Sequence, residues 1–186
     1  FVLLDDTIWF CAQNFNGLYS KNLITNEVVL CGEFPNEIYS KPRLFASMKL
    51  VGRKIYFIPF YAKTIVIYDI DSHVFSSIEI NEAVCGAQGN MLFMGIQQYK
   101  NYLFIIPVQA SKIIRLNTID NSIVYITEWY EMSKDILFDK VYFRKQTILI
   151  EGKLYAPFYS ANALLEMDCD TLKTTVHKLG SDKRGY

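Results

Sequence analysis

A short apolar motif that ends in proline returns along the chain at a nearly constant interval. The motif ends at Pro59, Pro107 and Pro157, which are 48 and 50 residues apart. A phenylalanine precedes each proline by 14 residues. These phenylalanines are Phe45, Phe93 and Phe143. Two landmarks that keep one spacing in three copies indicate a structural repeat.

Each repeat contains short runs of β-branched and aromatic residues separated by turn-forming residues, which is typical of antiparallel strands. After each proline, an aliphatic run ends in an acidic or amide residue. The runs end at Asp69, Asn117 and Asp168. A copy without the proline precedes these three, with Ala12 in its place. Repeats of about 40 to 50 residues filled with short strands are the signature of a β-propeller. We therefore predict an all-β fold, a β-propeller built from repeated four-stranded antiparallel blades.

The repeat predicts one propeller segment over residues 1–186, with blades at approximately 1–34, 43–80, 91–129 and 140–180. In the last blade the first strand is expected over 140–150. The first blade lacks the start of its innermost strand, and the chain ends before the phenylalanine of a next blade. We expect a segment of a larger propeller of about six to eight blades, with a four-bladed ring as the alternative. Terminal blades of such a segment would expose apolar faces, which predicts self-association.

The motifs from Gly52 to Pro59, from Ile65 to Asp69 and from Gly152 to Pro157 resemble those of bacterial kelch-like propellers. The paired glycines of true kelch blades are absent, because no Gly-Gly occurs in the chain. The resemblance implies a ring-shaped recognition scaffold and no particular activity.

Composition excludes several classes of partner. Nineteen basic and nineteen acidic residues cancel, so no basic field attracts nucleic acid. No apolar run approaches the roughly 20 residues that a membrane span needs, so we expect no membrane insertion. Four cysteines lie apart from each other and from histidine, which predicts neither a metal site nor another cofactor. They are Cys11, Cys31, Cys85 and Cys169. Scattered thiols favour the cytoplasm, while an extracellular location stays open because the chain begins at Phe1.

No set of residues qualifies as catalytic. His73 is expected in a turn and His177 in an outer strand, both at the surface. Glu128 and Glu131 bracket an aromatic pair in a connection, but nearness in sequence does not place two carboxyl groups for acid–base work.

The candidate ligand site lies on the loops between the second and third strands and on the connections between blades. Four residues occupy one expected repeat position, two residues after the proline or Ala12. They are Asn14, Tyr61, Gln109 and Tyr159. Nearby connections contribute Tyr39, Arg43, Gln88, Trp129 and Tyr130. Aromatic, amide and guanidinium groups suit a sugar or a protein hot spot, although loop tips without any ligand have the same composition.

We therefore predict a non-catalytic recognition or scaffold propeller that binds protein or glycan. The alternative is a carbohydrate-active enzyme, a glycan lyase or hydrolase, with catalytic groups partly outside this segment.

Overall fold

The computed structural model describes residues 1–12, 14–35, 37, 43–81, 91–138 and 141–180. This part of the chain holds sixteen strands and one short helix. The elements are β1 Val2–Leu4, β2 Thr7–Cys11, β3 Leu18–Asn22, β4 Val28–Gly32, β5 Phe45–Val51, β6 Lys54–Pro59, β7 Thr64–Asp69, β8 Val74–Glu79, β9 Phe93–Tyr99, β10 Tyr102–Pro107, β11 Ile113–Asn117, β12 Ile123–Ile126, α1 Glu128–Ser133, β13 Ile148–Ile150, β14 Lys153–Pro157, β15 Ala163–Asp168 and β16 Thr174–Lys178.

The strands form four antiparallel sheets of four strands, each in chain order. Sheet 1 contains β1–β4, sheet 2 contains β5–β8, sheet 3 contains β9–β12 and sheet 4 contains β13–β16. The predicted all-β class with four-stranded antiparallel sheets is confirmed. The chain divides into two compact units, Phe1–Ile80 with sheets 1 and 2, and Asn81–Tyr186 with sheets 3 and 4.

A side-chain hydrogen bond closes the turn after the third strand of every sheet. The residues that supply it are Asn22, Asp69, Asn117 and Asp168. In each case the side-chain Oδ1 accepts a hydrogen bond from the backbone N–H two residues further on. Backbone donors lower the pKa of the Asp69 and Asp168 carboxyl groups. These acidic and amide residues are therefore turn-forming residues, as local hydrogen bonding of Asp and Asn favours.

The three prolines end the second strands of their sheets, as predicted. Their register differs in sheet 4. Phe45 pairs with Pro59 and Phe93 with Pro107, whereas Phe143 forms an isolated bridge with Phe158. Pro157 thus lies one residue early. Phe143 also lies one residue further from the end of its first strand, β13, than Phe45 and Phe93 lie from the ends of β5 and β9. The two shifts cancel, so the interval from Phe143 to Pro157 is still 14 residues.

Two other expectations differ from the structure. The predicted first strand over 140–150 is reduced to Ile148–Ile150 among the described residues, with residues 139 and 140 outside them. The connection that was expected around Trp129 and Tyr130 is the helix α1, which begins without a side-chain cap.

The two units have the same packing. In the first, Trp9 and Leu18 of sheet 1 share a core with sheet 2, to which sheet 2 contributes Ile55, Phe57, Val66 and Tyr68. In the second, sheet 3 contributes Phe104, Ile106 and Ile113, and sheet 4 contributes Leu154, Ala156, Leu165 and Met167. Strand pairing shows that these residues hold matching repeat positions. The matching pairs are Thr7 with Asn22, Lys54 with Asp69, Tyr102 with Asn117, and Lys153 with Asp168.

Candidate functional site

The four predicted loop residues all lie between the second and third strands of their sheets. Asn14 follows β2, Tyr61 follows β6, Gln109 follows β10 and Tyr159 follows β14. Tyr159 does not hold the predicted repeat position. Its N–H donates to the Tyr142 carbonyl oxygen, and in sheets 2 and 3 the equivalent bond is made by the residue directly after the proline. Those equivalent bonds run from Phe60 to Leu44 and from Val108 to Leu92.

The position equivalent to Tyr61 and Gln109 is therefore held in sheet 4 by Ser160, which is fully buried. The interval of 14 residues does not reveal this shift, because the early position of Pro157 and the extra residue before the end of β13 cancel.

In the first unit, an arginine covers the ring that precedes Tyr61. The Arg43 guanidinium lies 4.9 Å from the centre of the Phe60 ring. Phe60 in turn meets Tyr61 edge to face, with 4.8 Å between ring centres. The structure thus brings together Arg43 and Tyr61 through Phe60. Arg43 has a φ of 66°, a left-handed conformation that is uncommon outside glycine.

A buried carboxylate that the sequence did not reveal anchors the loop before β7. Glu37 Oε1 accepts hydrogen bonds from the backbone N–H groups of Lys63 and Thr64 and from Thr64 Oγ1, at 3.0, 3.2 and 2.9 Å. Asn16 Nδ2 donates to the Glu37 carbonyl oxygen at 2.8 Å. No local motif signals this role, because the donors are 26 and 27 residues away. Glu37 therefore fixes the loop that carries Tyr61.

In the second unit, the aromatic pair of α1 divides into a buried and a half-buried ring. Trp129 is fully buried and packs on Phe143, with 4.9 Å between ring centres. Tyr130 is half-buried and contacts Trp129 and Tyr142 at 5.6 and 5.5 Å. Trp129 therefore belongs to the core beneath the helix, and Tyr130 is the residue of the pair that is accessible at the protein surface.

Tyr142 joins two loops of this unit. Its N–H donates to the Val108 carbonyl oxygen at 2.7 Å, and its own carbonyl oxygen accepts from the Tyr159 N–H at 2.8 Å. The loop of Gln109 and the loop of Tyr159 are thereby connected. Burial, followed by the hydrogen bond and charge of Tyr130, raises the pKa of Tyr142 to about 12. The Tyr142 phenol therefore remains protonated at neutral pH and is no general base.

An arginine stacks on the exposed ring of Tyr159. The Arg144 guanidinium lies 3.8 Å from the ring centre, and Tyr159 is 48% exposed. Such cation–π contacts contribute about 0.5–1 kcal/mol at exposed sites. Phe138, which is 58% exposed, donates its N–H to the carbonyl oxygen of Ser160, the next residue. We call this surface the aromatic patch. It consists of Tyr130, Phe138, Tyr142, Arg144 and Tyr159.

The two glutamates and two histidines considered in the sequence analysis have structural partners. Glu128 Oε2 accepts from Thr174 Oγ1, and Glu131 pairs with Lys134. His73 Nδ1 lies 3.0 Å from the Tyr68 hydroxyl, and His177 lies 2.8 Å from Glu166. These are exposed turn and strand positions, as expected for the two histidines. Within the described ranges, no group of three or more His, Cys, Asp or Glu side chains is placed to hold a metal ion.

The three cysteines that the structure describes carry free thiols. Burial raises the pKa of Cys11, and it raises the pKa of Cys169 to about 11. Both thiols therefore behave as apolar packing groups. Cys85, Tyr39 and Gln88 lie outside the described residues. No helix among the described residues is long and apolar enough to cross a membrane.

Comparison with known proteins identifies similarity of structure without similarity of sequence. No family model matches the chain, and no curated protein matches it. The extracellular domain of BT4673 from B. thetaiotaomicron aligns with a TM-score of 0.64 at 16% identity, over 96% of this chain and 22% of that one. The N-terminal domain of Nup159 aligns with a TM-score of 0.56 at 11% identity, over 96% of this chain and 46% of that one. A chain of a nidogen/laminin complex aligns with a TM-score of 0.58 at 10% identity, over 96% of this chain and 62% of that one.

These neighbours are propeller proteins, and they share the four-stranded antiparallel sheets. The chain has a β-propeller fold. It spans between about a fifth and three fifths of the length of these three chains. Likeness at this level of identity shows the fold alone, so each four-stranded sheet can be called a blade, while function has to be argued from the surface.

Proposed function

We propose that the chain is a non-catalytic recognition propeller that binds a protein segment through the aromatic patch. The main observation behind this proposal is the exposed pair of Arg144 and Tyr159, in which the guanidinium lies 3.8 Å from the ring centre. Tyr159 is hydrogen-bonded to Tyr142 through its backbone. Both residues lie on or next to the loops where the repeat predicts ligand contacts. The proposed role is binding or scaffolding, and the proposed partner is a protein.

The chemistry of the patch favours a protein partner with a carboxylate next to an apolar side chain. Arg144 makes no ion pair with any residue that the structure describes. Its position over Tyr159 reduces the conformational freedom that binding would remove, which favours affinity. Phe138, whose N–H donates to the carbonyl oxygen of the residue after Tyr159, supplies an exposed apolar side chain. Tyrosine and arginine are enriched among the residues that dominate protein interfaces.

A glycan is the second ligand class that these groups suit. A sugar that stacks on an aromatic ring needs an open face of that ring, and Arg144 already covers one face of Tyr159. This occupancy makes us prefer a protein partner. The neighbour taken from the nidogen/laminin complex belongs to a protein assembly, which supports the same choice. No observation in the described part of the chain favours the lyase or hydrolase alternative.

Selection of peptides from a displayed random library on the immobilised chain tests the proposal. We expect acidic peptides with apolar residues, whose affinity falls at least about 10-fold with Arg144→Ala, equivalent to about 1.4 kcal/mol. The matched control is Arg115→Ala. Arg115 also stacks on a tyrosine, 4.7 Å from the Tyr102 ring centre, but lies on β11 outside the patch. The control should change affinity less than about 2-fold.

A glycan array with the intact protein provides the competing outcome. Glycan binding that depends on Arg144 and Tyr159 would keep the patch and change the ligand class. Ligands that bind the Arg144→Ala and Tyr159→Ala variants as tightly as the wild type would exclude the patch as the site.

We also propose a relationship to kelch-like bacterial propellers and a cytoplasmic location. The repeat motif supports the first, and the free thiols of the half-buried Cys11 and the buried Cys169 support the second. Self-association through the terminal blades is a separate proposal, supported by exposed apolar side chains on β4 and β13, such as Leu30 and Ile148.

A further inference from the structure

Two arginines of this chain lie on aromatic rings at the same blade position. Phe60 in sheet 2 and Tyr159 in sheet 4 are equivalent, because each donates its N–H to the residue that precedes the repeat phenylalanine of its sheet. Arg43 lies over the Phe60 ring, and Arg144 lies over the Tyr159 ring. The aromatic patch contains only the second pair. The first pair lies in the other compact unit, outside the patch.

The repeated fold does not require this pairing. Sheet 3 forms the equivalent hydrogen bond with Val108 in place of the aromatic residue, and it has Met91 in place of Arg43. The two arginines also come from different repeat positions. Arg43 precedes its repeat phenylalanine by two residues, whereas Arg144 directly follows its own. Duplication of one repeat therefore does not explain a guanidinium on this ring in two sheets, which favours a role other than folding.

Local hydrogen bonds hold the ring that Arg43 covers. The Leu44 carbonyl oxygen accepts from the N–H groups of Phe60 and of the next two residues, at 2.8, 3.1 and 3.0 Å. Phe60 is only 5% exposed, so its ring is fixed by the core. Because Arg43 rests on this fixed ring, its guanidinium is positioned before a ligand binds, and less conformational entropy is lost on binding.

The charge of Arg43 is not matched by an acidic side chain. Arg43 forms no ion pair with any residue in the described part of the chain. The Glu37 carboxylate is 9% exposed, and its Oε1 accepts three hydrogen bonds from the loop before β7. Lys63 is exposed and adds a second positive charge to the loop that carries Phe60. The first unit therefore presents two cationic groups at this loop, to which neighbouring carboxylates are complementary.

We propose that Arg43 and Lys63 form a second binding site, which takes an acidic protein segment through neighbouring carboxylates. Arg43 donates two parallel hydrogen bonds to one carboxylate, as the planar guanidinium favours, and Lys63 attracts the next one. The ring under Arg43 is nearly buried, whereas Tyr159 of the aromatic patch is 48% exposed. Ligands of the second site therefore depend on charge and need no apolar residue. Binding there does not require that the aromatic patch binds a ligand.

Selection of displayed peptides on the Arg144→Ala variant tests the second site, because this variant lacks the guanidinium of the patch. We expect peptides with adjacent Asp or Glu residues, and calorimetry should show one peptide per chain. Adding Arg43→Gly should weaken binding at least about 10-fold. Glycine accepts the φ of 66° found at this position. The matched control is Arg53→Ala at the opposite end of β6, an arginine paired with Asp71, which should change affinity less than about 2-fold.

Amide replacement in the peptide shows whether Arg43 contacts the carboxylates. Asn and Gln in place of Asp and Glu should cost about 10-fold with the Arg144→Ala parent. The same replacement should cost clearly less once Arg43→Gly has removed the partner, because the two changes affect one interaction. An equal loss in both chains would overturn the proposal. So would a selection that yields no acidic peptides, or peptides that bind the Arg43→Gly chain as tightly as the parent.

Arg43→Lys is the second variant at this position. It keeps the positive charge but loses the planar pair of donors, so its affinity should lie between those of the parent and of Arg43→Gly. Circular dichroism verifies that each variant is folded, and Arg43→Lys alone decides the test if the glycine variant is unfolded. An affinity equal to that of the parent would then overturn the proposal. The outcome is separate from that for the aromatic patch, because every chain compared carries Arg144→Ala.

Discussion

Truncation of Phe143 to alanine should strongly destabilise the second unit. Phe143 is 0% exposed, and its ring centre lies 4.9 Å from that of Trp129 and 4.6 Å from that of Phe158. Core Phe→Ala substitutions cost about 3–5 kcal/mol, and each aromatic pair adds about 0.5–1.5 kcal/mol beyond buried area. We therefore expect a loss of about 4–5 kcal/mol in the free energy of unfolding.

Urea unfolding followed by tryptophan fluorescence measures this loss where it occurs. The chain has two tryptophans, Trp9 in the first unit and Trp129 in the second. In a Trp9→Phe background, Trp129 is the sole reporter and lies directly against Phe143. Because the expected loss approaches the whole stability of many domains, about 5–15 kcal/mol, Phe143→Leu should be measured as well and should lose less.

The control is the same substitution at an exposed phenylalanine of the same unit. Phe138 is 58% exposed, so Phe138→Ala should cost less than about 1 kcal/mol. A loss below about 1 kcal/mol for Phe143→Ala would refute the reasoning, because it would mean that the ring is not packed in the core.

Two further predictions concern a glycine and a surface carboxylate. A Cβ at Gly95 would lie 3.0 Å from the Ile106 Cβ, so Gly95→Val should cost about 1–3 kcal/mol in urea unfolding, and a neutral result would mean that β9 and β10 can separate at that point. Hydrogen bonds from Lys153 and then His177 lower the pKa of Glu166, so its stabilising effect is present above the unfolded-state pKa of about 4.3 and is lost as pH falls through the folded-state pKa. Glu166→Gln should therefore lower the thermal midpoint at pH 7 and not in strong acid, whereas an equal decrease at both pH values would contradict the ion-pair origin.

The sequence predicted the features that arise within one repeat. The proline positions and the third-strand turns at residues such as Asp69 depend on near neighbours in the chain. In sheet 4 the spacing led to a wrong register. The interval from Phe143 to Pro157 contains one extra residue and one missing residue, and only the strand pairing shows where each lies. Tyr159 was therefore assigned to the wrong repeat position, although its loop was predicted.

The remaining features of the site arise from distant contacts. Glu37 is buried because its hydrogen-bond donors belong to a loop 26 and 27 residues away. Trp129 is buried because Phe143 and Phe158 pack on it, and no spacing within the helix shows this. The helix itself has six residues and no capping hydrogen bond, so the usual start signals are missing. Arg144 was missed because it lies outside the repeat positions used to find the site.

The strict chain order of the strands has a consequence for how such a protein can arise and grow. Every strand in the described part of the chain pairs only with its neighbours in sequence, and a hydrogen bond to an Asn or Asp side chain closes the turn after the third strand in each sheet. A sheet can therefore complete its hydrogen bonding as soon as its own segment has left the ribosome, without waiting for later sequence. Gene duplication that adds a whole repeat therefore leaves the existing strand pairings unchanged. Only the packing faces must be matched anew.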